Sequence, residues 1–210
     1  MNFNEINISS DLKRKIKKAG FTDLTTIQEK CIPEILENKD VVGQAETGSG
    51  KTLAFCLPLL EKIKKGMGIQ VVVLTPTREL CHQVSEVFSE FGRDLGIKTT
   101  SIYGGVAIDP QIKNLRISEV VVATPGRLLD HIRRRTIDLR KMRFLVLDET
   151  DRMLDMGFID DVEKIISNMP KNRQTLMFSA TIKNNRHDVM ESHVKNRLIK
   201  NTQSKVQRDR

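Results

Sequence analysis

Tryptophan is absent from the 210 residues and tyrosine occurs once, as Tyr103. With no tryptophan and a single tyrosine, aromatic stacking platforms are scarce. The three cysteines, Cys31, Cys56 and Cys81, are an odd set, each in an apolar, helix-like stretch. They argue against a disulfide scaffold and for buried free thiols in a reducing compartment. No run of about 18 apolar residues exists, so no membrane-spanning helix is expected. Met1 to Glu5 offer neither a basic nor an apolar leader region. A secretory signal is therefore not expected, and a cytoplasmic location is. The four histidines, His82, His131, His187 and His193, have no second His or Cys pair at ligand spacing. They do not read as a metal centre.

What is present is a soluble, globular mix: 39% hydrophobic and 30% charged residues, with a net charge of +8. Apolar runs at 69–74 and 144–147 require a core, and 210 residues suffice to build one. The basic excess is uneven. Residues 183–210 hold eight basic and three acidic residues, so +5 of the +8 lies there. Arg133, Arg134 and Arg135, followed by Arg140, Lys141 and Arg143, form a second cluster, and Lys13, Arg14, Lys15, Lys17 and Lys18 a third. Each serves either as a polyanion contact or as a solvated helix face. Charge by itself leaves both readings open.

Along the chain, Ser9-Ser10-Asp11 caps a short basic helix that stops at Gly20, and Thr25 or Thr26 starts a second that runs through Pro33 to about Leu36. Strand-like runs then follow at 41–44, 70–75, 98–103, 120–124, 144–148 and 175–179. Helical patterns lie between them, including 52–64, 78–95, 126–133 and 160–169. The strands are short, rich in Val, Ile and Leu, and mostly not alternating, as in strands buried on both faces. The expectation is a doubly wound α/β domain with a mostly parallel sheet and helices on both faces. Ligands in such folds sit beyond the carboxyl ends of the strands, so the residues following each strand carry the functional reading.

The first strand is followed by Ala45-Glu46-Thr47-Gly48-Ser49-Gly50-Lys51-Thr52. Gly48 and Gly50 let backbone N–H groups turn toward phosphate oxygens, and the next helix presents its positive end. Lys51 reaches the β- and γ-phosphates, and the Thr52 hydroxyl suits Mg²⁺. Ala45 stands where the general pattern has glycine. The run from Phe144 to Leu147 delivers Asp148-Glu149, 97 positions after Lys51. One carboxylate of such a pair holds a nucleotide-bound metal and the next orients the attacking water. Ser179-Ala180-Thr181 ends the last strand with two hydroxyls placed to bond to the neighbouring acidic strand end.

In their order, these motifs resemble the first RecA-like domain of a DEAD-box RNA helicase, over Phe3 to about Thr181. Gly20 to Gln28 is similar to the family's adenine-reading Q motif, with Phe3 as the aromatic 17 positions before Gly20. Pro76-Thr77-Arg78-Glu79-Leu80, Gly104-Gly105 and Thr124-Pro125-Gly126-Arg127 resemble its RNA-contacting motifs, Asp148-Glu149-Thr150-Asp151 its acidic box, and Ser179-Ala180-Thr181 its coupling motif. The family's own form of the phosphate loop accounts for Ala45. The resemblance implies ATP with Mg²⁺. Lys51, Asp148 and Glu149 would be catalytic, with Glu149 orienting water, and Thr52 and Asp148 would hold the metal. Phe21 would stack on adenine, Gln28 would read its edge, and residues 45–52 would cradle the phosphates. Pro76, Thr77, Arg78, Gly104, Gly105, Thr124, Pro125, Gly126 and Arg127 would hold the backbone of single-stranded RNA. Asp151, Ser179, Ala180 and Thr181 would couple the two sites.

The expected organisation is 1–40 as N-terminal helices with the Q motif, 41–196 as the RecA-like ATP-binding domain, and 197–210 as a basic linker or cut end. A second RecA-like domain, needed for hydrolysis and unwinding, is expected to be absent here. The isolated domain is expected to be a nearly inactive monomer, with no membrane partner. The sequence departs from the family at Thr150, where alanine is usual, and at Leu24 and Thr26, where prolines are common. Two other readings stand beside this one. A phosphate-loop enzyme of another class is opposed by Gln28 and its flanks. A non-catalytic RNA-binding module is opposed by the intact Lys51, Asp148 and Glu149.

Overall fold

The computed structural model describes residues 1–181, 192–194 and 199–201. Its centre is one seven-stranded sheet, all of whose strand pairs are parallel. The strands are β1 (Val41–Gln44), β2 (Val71–Leu74), β3 (Thr99–Ile102), β4 (Val120–Ala123), β5 (Phe144–Leu147), β6 (Gln174–Ser179) and β7 (Ile199–Asn201), in the order β3-β4-β2-β5-β6-β1-β7. The sheet thus reaches into the polar stretch read as a linker, where Ile199 pairs with Val42.

Burial on both faces explains the continuous apolar runs. Val71 and Val73 point into one core, Val72 and Leu74 into the other. The first core is covered by α1 (Ser10–Lys18), α2 (Thr26–Leu36), α3 (Lys51–Lys62) and α4 (Arg78–Gly92). Phe55 of α3 fills its middle, with ring centroids 5.4 Å from Phe178 and 6.1 Å from Phe88. The second core is covered by α6 (Pro125–Arg133), α7 (Thr150–Asp155) and α8 (Ile159–Ser167), through Leu128, Met153 and Ile165.

Local signals set most boundaries. The Ser9 and Thr77 hydroxyls cap α1 and α4 by accepting from Leu12 and Leu80 N–H. The helix expected over 78–95 breaks after Gly92 into a 3₁₀ turn, Arg93–Leu95, closed by Gly96 at φ +70°. Two helices too short to show a period, α5 (Asp109–Leu115) and α7, escape the sequence reading. On α1, Leu12 and Ile16 are buried, while Arg14 pairs with Asp11, Lys15 with Asp94 and Lys13 with the Asn4 carbonyl. That basic cluster is a solvated face with local partners. Most of the 183–210 cluster lies outside the described residues.

All three cysteines are free and buried. Burial pushes the Cys81 thiol up to about 12, which makes it a poor nucleophile. Among the described residues, no helix is long and apolar enough to cross a membrane, and no group of His, Cys, Asp and Glu could hold a metal by three or more ligands.

Candidate functional site

Because the strands are parallel, every motif that follows one emerges on the same edge of the sheet. Strand order then sorts them. The loop after β1, Ser179–Thr181 after β6, and Asp148-Glu149 after β5 are neighbours. Pro76–Arg78 after β2, Thr124–Arg127 after β4, and Gly104-Gly105 after β3 form the adjoining half.

In the first half, Gly48 and Gly50 are left-handed, at φ +83° and +86°. Gly50 also lacks room for a side chain, since a Cβ there would stand 2.6 Å from Gln28 Nε2 and 2.9 Å from Thr25 Oγ1. Gln28 explains that crowding. It is 3% exposed, its Oε1 accepts from Thr25 N–H at 2.9 Å, and its Nε2 donates to the Gly50 carbonyl at 3.1 Å. The amide therefore closes the cap of α2 and ties that helix to the phosphate loop. Phe21 stands out to solvent at 44% exposed, whereas Phe3 is buried and donates its N–H to the Thr22 carbonyl. The N-terminal segment thus braces the loop that presents Phe21.

Lys51, the first residue of α3, lies between the two acids: its Nζ is 3.2 Å from Asp148 Oδ1 and 3.3 Å from Glu149 Oε1. Asp148 is 2% exposed, and burial raises its carboxyl above the ordinary range against the opposing pull of Lys51. Its Oδ1 accepts no aligned hydrogen bond, and Ser49 Oγ is likewise buried without a partner. Glu149, at the N-cap position of α7, holds a left-handed backbone, φ +51° and ψ +52°, and makes no side-chain cap hydrogen bond. That conformation costs a non-glycine residue about 1–3 kcal/mol and throws the carboxylate back over the lysine.

The turn after β6 is knitted to the acidic box. Asp151 Oδ2 accepts from Thr181 N–H at 3.1 Å and from its hydroxyl at 3.3 Å, while Ser179 Oγ accepts from Asp151 N–H at 3.3 Å and donates to the Thr181 carbonyl at 2.6 Å. Ala180 adds its carbonyl, which accepts from Gln44 Nε2. Buried Thr150 extends this seam, its hydroxyl donating to the Phe178 carbonyl of β6 at 3.5 Å. The residue that departs from the family pattern is thus accommodated with its hydroxyl satisfied.

The second half is held from behind. Arg78 stacks its guanidinium 4.7 Å over the Tyr103 ring. Arg127 donates to Gln111 Oε1 at 3.1 Å and to the Val106 carbonyl at 3.0 Å. Gln111 Nε2 donates in turn to the Tyr103 carbonyl, which fixes its amide orientation. Gln111 Oε1 can only accept, so the buried His131 ring donates to it from Nε2, and His131 Nδ1 lies 2.7 Å from the Thr136 hydroxyl. Burial lowers the His131 pKa and keeps that ring neutral. Gln111, Tyr103 and His131 escape the sequence reading because only the fold brings them behind Arg127 and Arg78. Gly104, Gly105 and Gly126 face open space: a Cβ added at any of them would meet nothing within 4 Å.

The family described as DEAD/DEAH box helicase matches residues 25–189. The DEAD-box ATP-dependent RNA helicase CshA of Streptococcus pneumoniae serotype 4 is 54% identical over 184 residues, 87% of this chain and 35% of that protein. CshA of Bacillus subtilis is 53% identical over 182 residues, 86% of this chain and 37% of that protein. The crystal structure of a DEAD box protein from the hyperthermophile Methanococcus jannaschii superposes with a TM-score of 0.93 at 43% identity, covering 96% of this chain and 56% of that one. The chain therefore spans about a third of the length of these curated relatives. The order of motifs along one sheet edge, the family match and the superposition agree: the chain belongs to the DEAD/DEAH box helicase family and corresponds to its N-terminal RecA-like domain.

Proposed function

We propose that this chain binds Mg-ATP and the backbone of single-stranded RNA as the first half of an ATP-dependent RNA helicase, with hydrolysis and unwinding requiring a second RecA-like domain. The observation that carries the reading is Lys51 held between Asp148 and Glu149 beneath a loop with two left-handed glycines. A lysine so placed is a buried cation whose partners are exchangeable for phosphate oxygens. Moving Nζ to the β- and γ-phosphates releases both carboxylates for their own tasks.

The residues present fit a magnesium ion, because buried Asp148 Oδ1 accepts no aligned hydrogen bond and has Lys51 Nζ at 3.2 Å as its counter-charge, which a metal ion can replace. Asp148 and the Thr52 hydroxyl would hold it, and the ion would neutralise charge on the transferring phosphoryl group. Glu149, with its carboxylate held over the site by its own backbone, orients the attacking water. Phe21 stacks on adenine. Gln28 meets the base edge with the second hydrogen-bonding capacity of each amide atom, the first being spent on Thr25 and Gly50. Arg78, Arg127 and the open glycine backbones hold phosphates and ribose, with little sequence preference. Asp151, Ser179 and Thr181 are bonded to one another within the nucleotide half, and they are the turn through which a change at the phosphates would be passed to the RNA side.

Calorimetry tests this. ADP with Mg²⁺ binds, ADP is preferred over GDP, and Lys51→Ala weakens ADP by about 10- to 100-fold, the loss of charge-assisted hydrogen bonds worth ~1.5–3 kcal/mol. Equal binding by the variant removes the nucleotide role, and equal ADP and GDP affinity points to a phosphate-loop enzyme of another class. Joining a second RecA-like domain brings RNA-stimulated hydrolysis, since an arginine supplied from outside the loop is worth ~10³–10⁵ in rate. Robust RNA-stimulated turnover by the 210 residues alone overturns the divided site.

A further inference from the structure

The edge of the sheet opposite the nucleotide loop carries a feature unused by the reading above. Three adjoining clefts run along it in strand order. The first, about 530 Å³, lies before β3 and β4 and is lined by Lys65, Arg93 and Lys98. The second, about 300 Å³, lies before β4, β2 and β5 and is lined by Arg116, Arg135 and Lys141. The third, about 820 Å³, lies before β5 and β6 and shares Arg135 with the second, adding Arg140. All seven cations are exposed. They come from four separate stretches of the chain, at 65, 93–98, 116 and 135–141.

Acids hardly offset them. Asp138 lines the second and third clefts, and its ion pair with Arg140 at 2.8 Å, which holds its carboxyl down to about 2 and so keeps it ionised, offsets that one arginine of the seven cations. Glu119, beneath the first cleft, is buried, and its two oxygens accept from the backbone N–H groups of Gly66 and Lys98. Asp94 faces away to Lys15 on α1.

We propose that this amino edge is a second nucleic-acid contact, a shallow cationic groove that takes the phosphate backbone of RNA on the side of the domain opposite the nucleotide loop. The dimensions suit it. Adjacent strands are ~4.8 Å apart, so β3 to β6 spans roughly 19 Å. Measured along a duplex axis, that corresponds to about five or six base steps at the ~3.4 Å of axis per phosphate of one strand of B-form DNA. The walls are polar as well as basic, with Asn114 in the first cleft able to donate to phosphate oxygens. Among the described residues lining these clefts, Ile117 is the only large, strongly exposed apolar side chain, which gives a bilayer no wedge to hold. The surface does not depend on Arg78, Arg127 or the glycines of the carboxyl edge, so it stands or falls apart from the role proposed for them.

The test compares the 210-residue chain with its R116E/R135E/K141E variant, using anisotropy of a fluorescein-labelled RNA duplex across a salt series. Melting temperature and ADP affinity, which these exposed residues do not touch, serve as controls. The expected result is at least ~10-fold weaker duplex binding at low salt, with the slope of log K against log[salt] shallower by about 2–3, since each lost phosphate contact is worth ~0.9. R116Q/R135Q/K141Q should give a smaller change in the same direction. If the triple variants do not fold, K65Q/R93Q reads the first cleft by the same two measures. Native affinity and slope in the folded variants would overturn the proposal. So would a loss confined to phosphatidylserine vesicles with RNA binding intact, which would make the groove a lipid contact.

Discussion

The two halves of the carboxyl edge are built on opposite plans. The half formed by β1, β6 and β5 is closed on itself: Lys51 is shared by two acids, Gln28 spends both amide atoms on its neighbours, and Asp151 is bonded to the turn of Ser179 and Thr181. The half formed by β2, β4 and β3 is open in front and braced behind. Its glycines face empty space, and its arginines are steadied by Tyr103, Gln111 and the Val106 carbonyl. A small anionic ligand that must be enclosed needs side chains already converged on one point. A passing polymer backbone needs exposed N–H groups and fixed cations along a line.

The contrast is most sharply broken at Glu149. In the chain joined to a second RecA-like domain, Glu149→Gln should lower RNA-stimulated hydrolysis by about 10²–10⁴-fold, the scale of a lost water-orienting base, while ADP affinity stays within a few fold. An unchanged rate, measured by phosphate release, would move the water-orienting role elsewhere.

Glycines separate the halves next. Gly50→Ala drives a methyl group into Gln28 and Thr25 at a left-handed position, so nucleotide binding should be lost and the melting temperature should fall. Gly126→Ala has free space and an ordinary φ. It should leave melting unchanged and weaken only RNA binding. If Gly126→Ala unfolds the chain, that half is not open as described.

At Gln28, alanine should cost ~1–3 kcal/mol of stability by leaving the Thr25 N–H and Gly50 carbonyl without their partner, and should reduce the preference for ADP over GDP. Gln28→Glu keeps the acceptor for Thr25 and so should recover part of the stability. Equal melting temperatures for wild type and Gln28→Ala, read by calorimetric scanning, would count against the bracing role. On the open side, Arg127→Ala should make the salt slope for single-stranded RNA shallower by about 0.7, the value of one phosphate contact. An unchanged slope would remove Arg127 from the RNA track. Thr150→Ala should have the smallest effect, no more than ~1 kcal/mol, because its hydroxyl makes a single long hydrogen bond. A larger drop in melting temperature would give that seam more weight than its geometry suggests.

Most of the fold was legible because its strands are continuous apolar runs separated by strong punctuation, and β1 matches the expected 41–44 residue for residue. α5 and α7 were not legible, since six or seven residues are too few to express a helical period. β7 was hidden by its polar composition, which an edge strand tolerates. The phosphate loop and the acids could be recognised from local chemistry. The left-handed Glu149 could not, because nothing in Asp148-Glu149-Thr150 marks a residue that takes a glycine conformation.

The sequence by itself determined the class of the domain and the order of its motifs, and it offered Lys51, Asp148, Glu149 and Arg127 as candidates, because each depends on residues adjacent in the chain. Only the tertiary structure decided which motifs are neighbours. Parallel pairing sends every strand end to one edge, and the order β3-β4-β2-β5-β6-β1-β7 divides that edge into a closed half and an open one. The same pairing gathers Lys65, Arg93, Arg116 and Lys141 along the opposite edge, although no stretch of sequence unites them. Charges on the loops before parallel strands collect on one side of a sheet whatever their separation in the chain, and that geometry has no local signature.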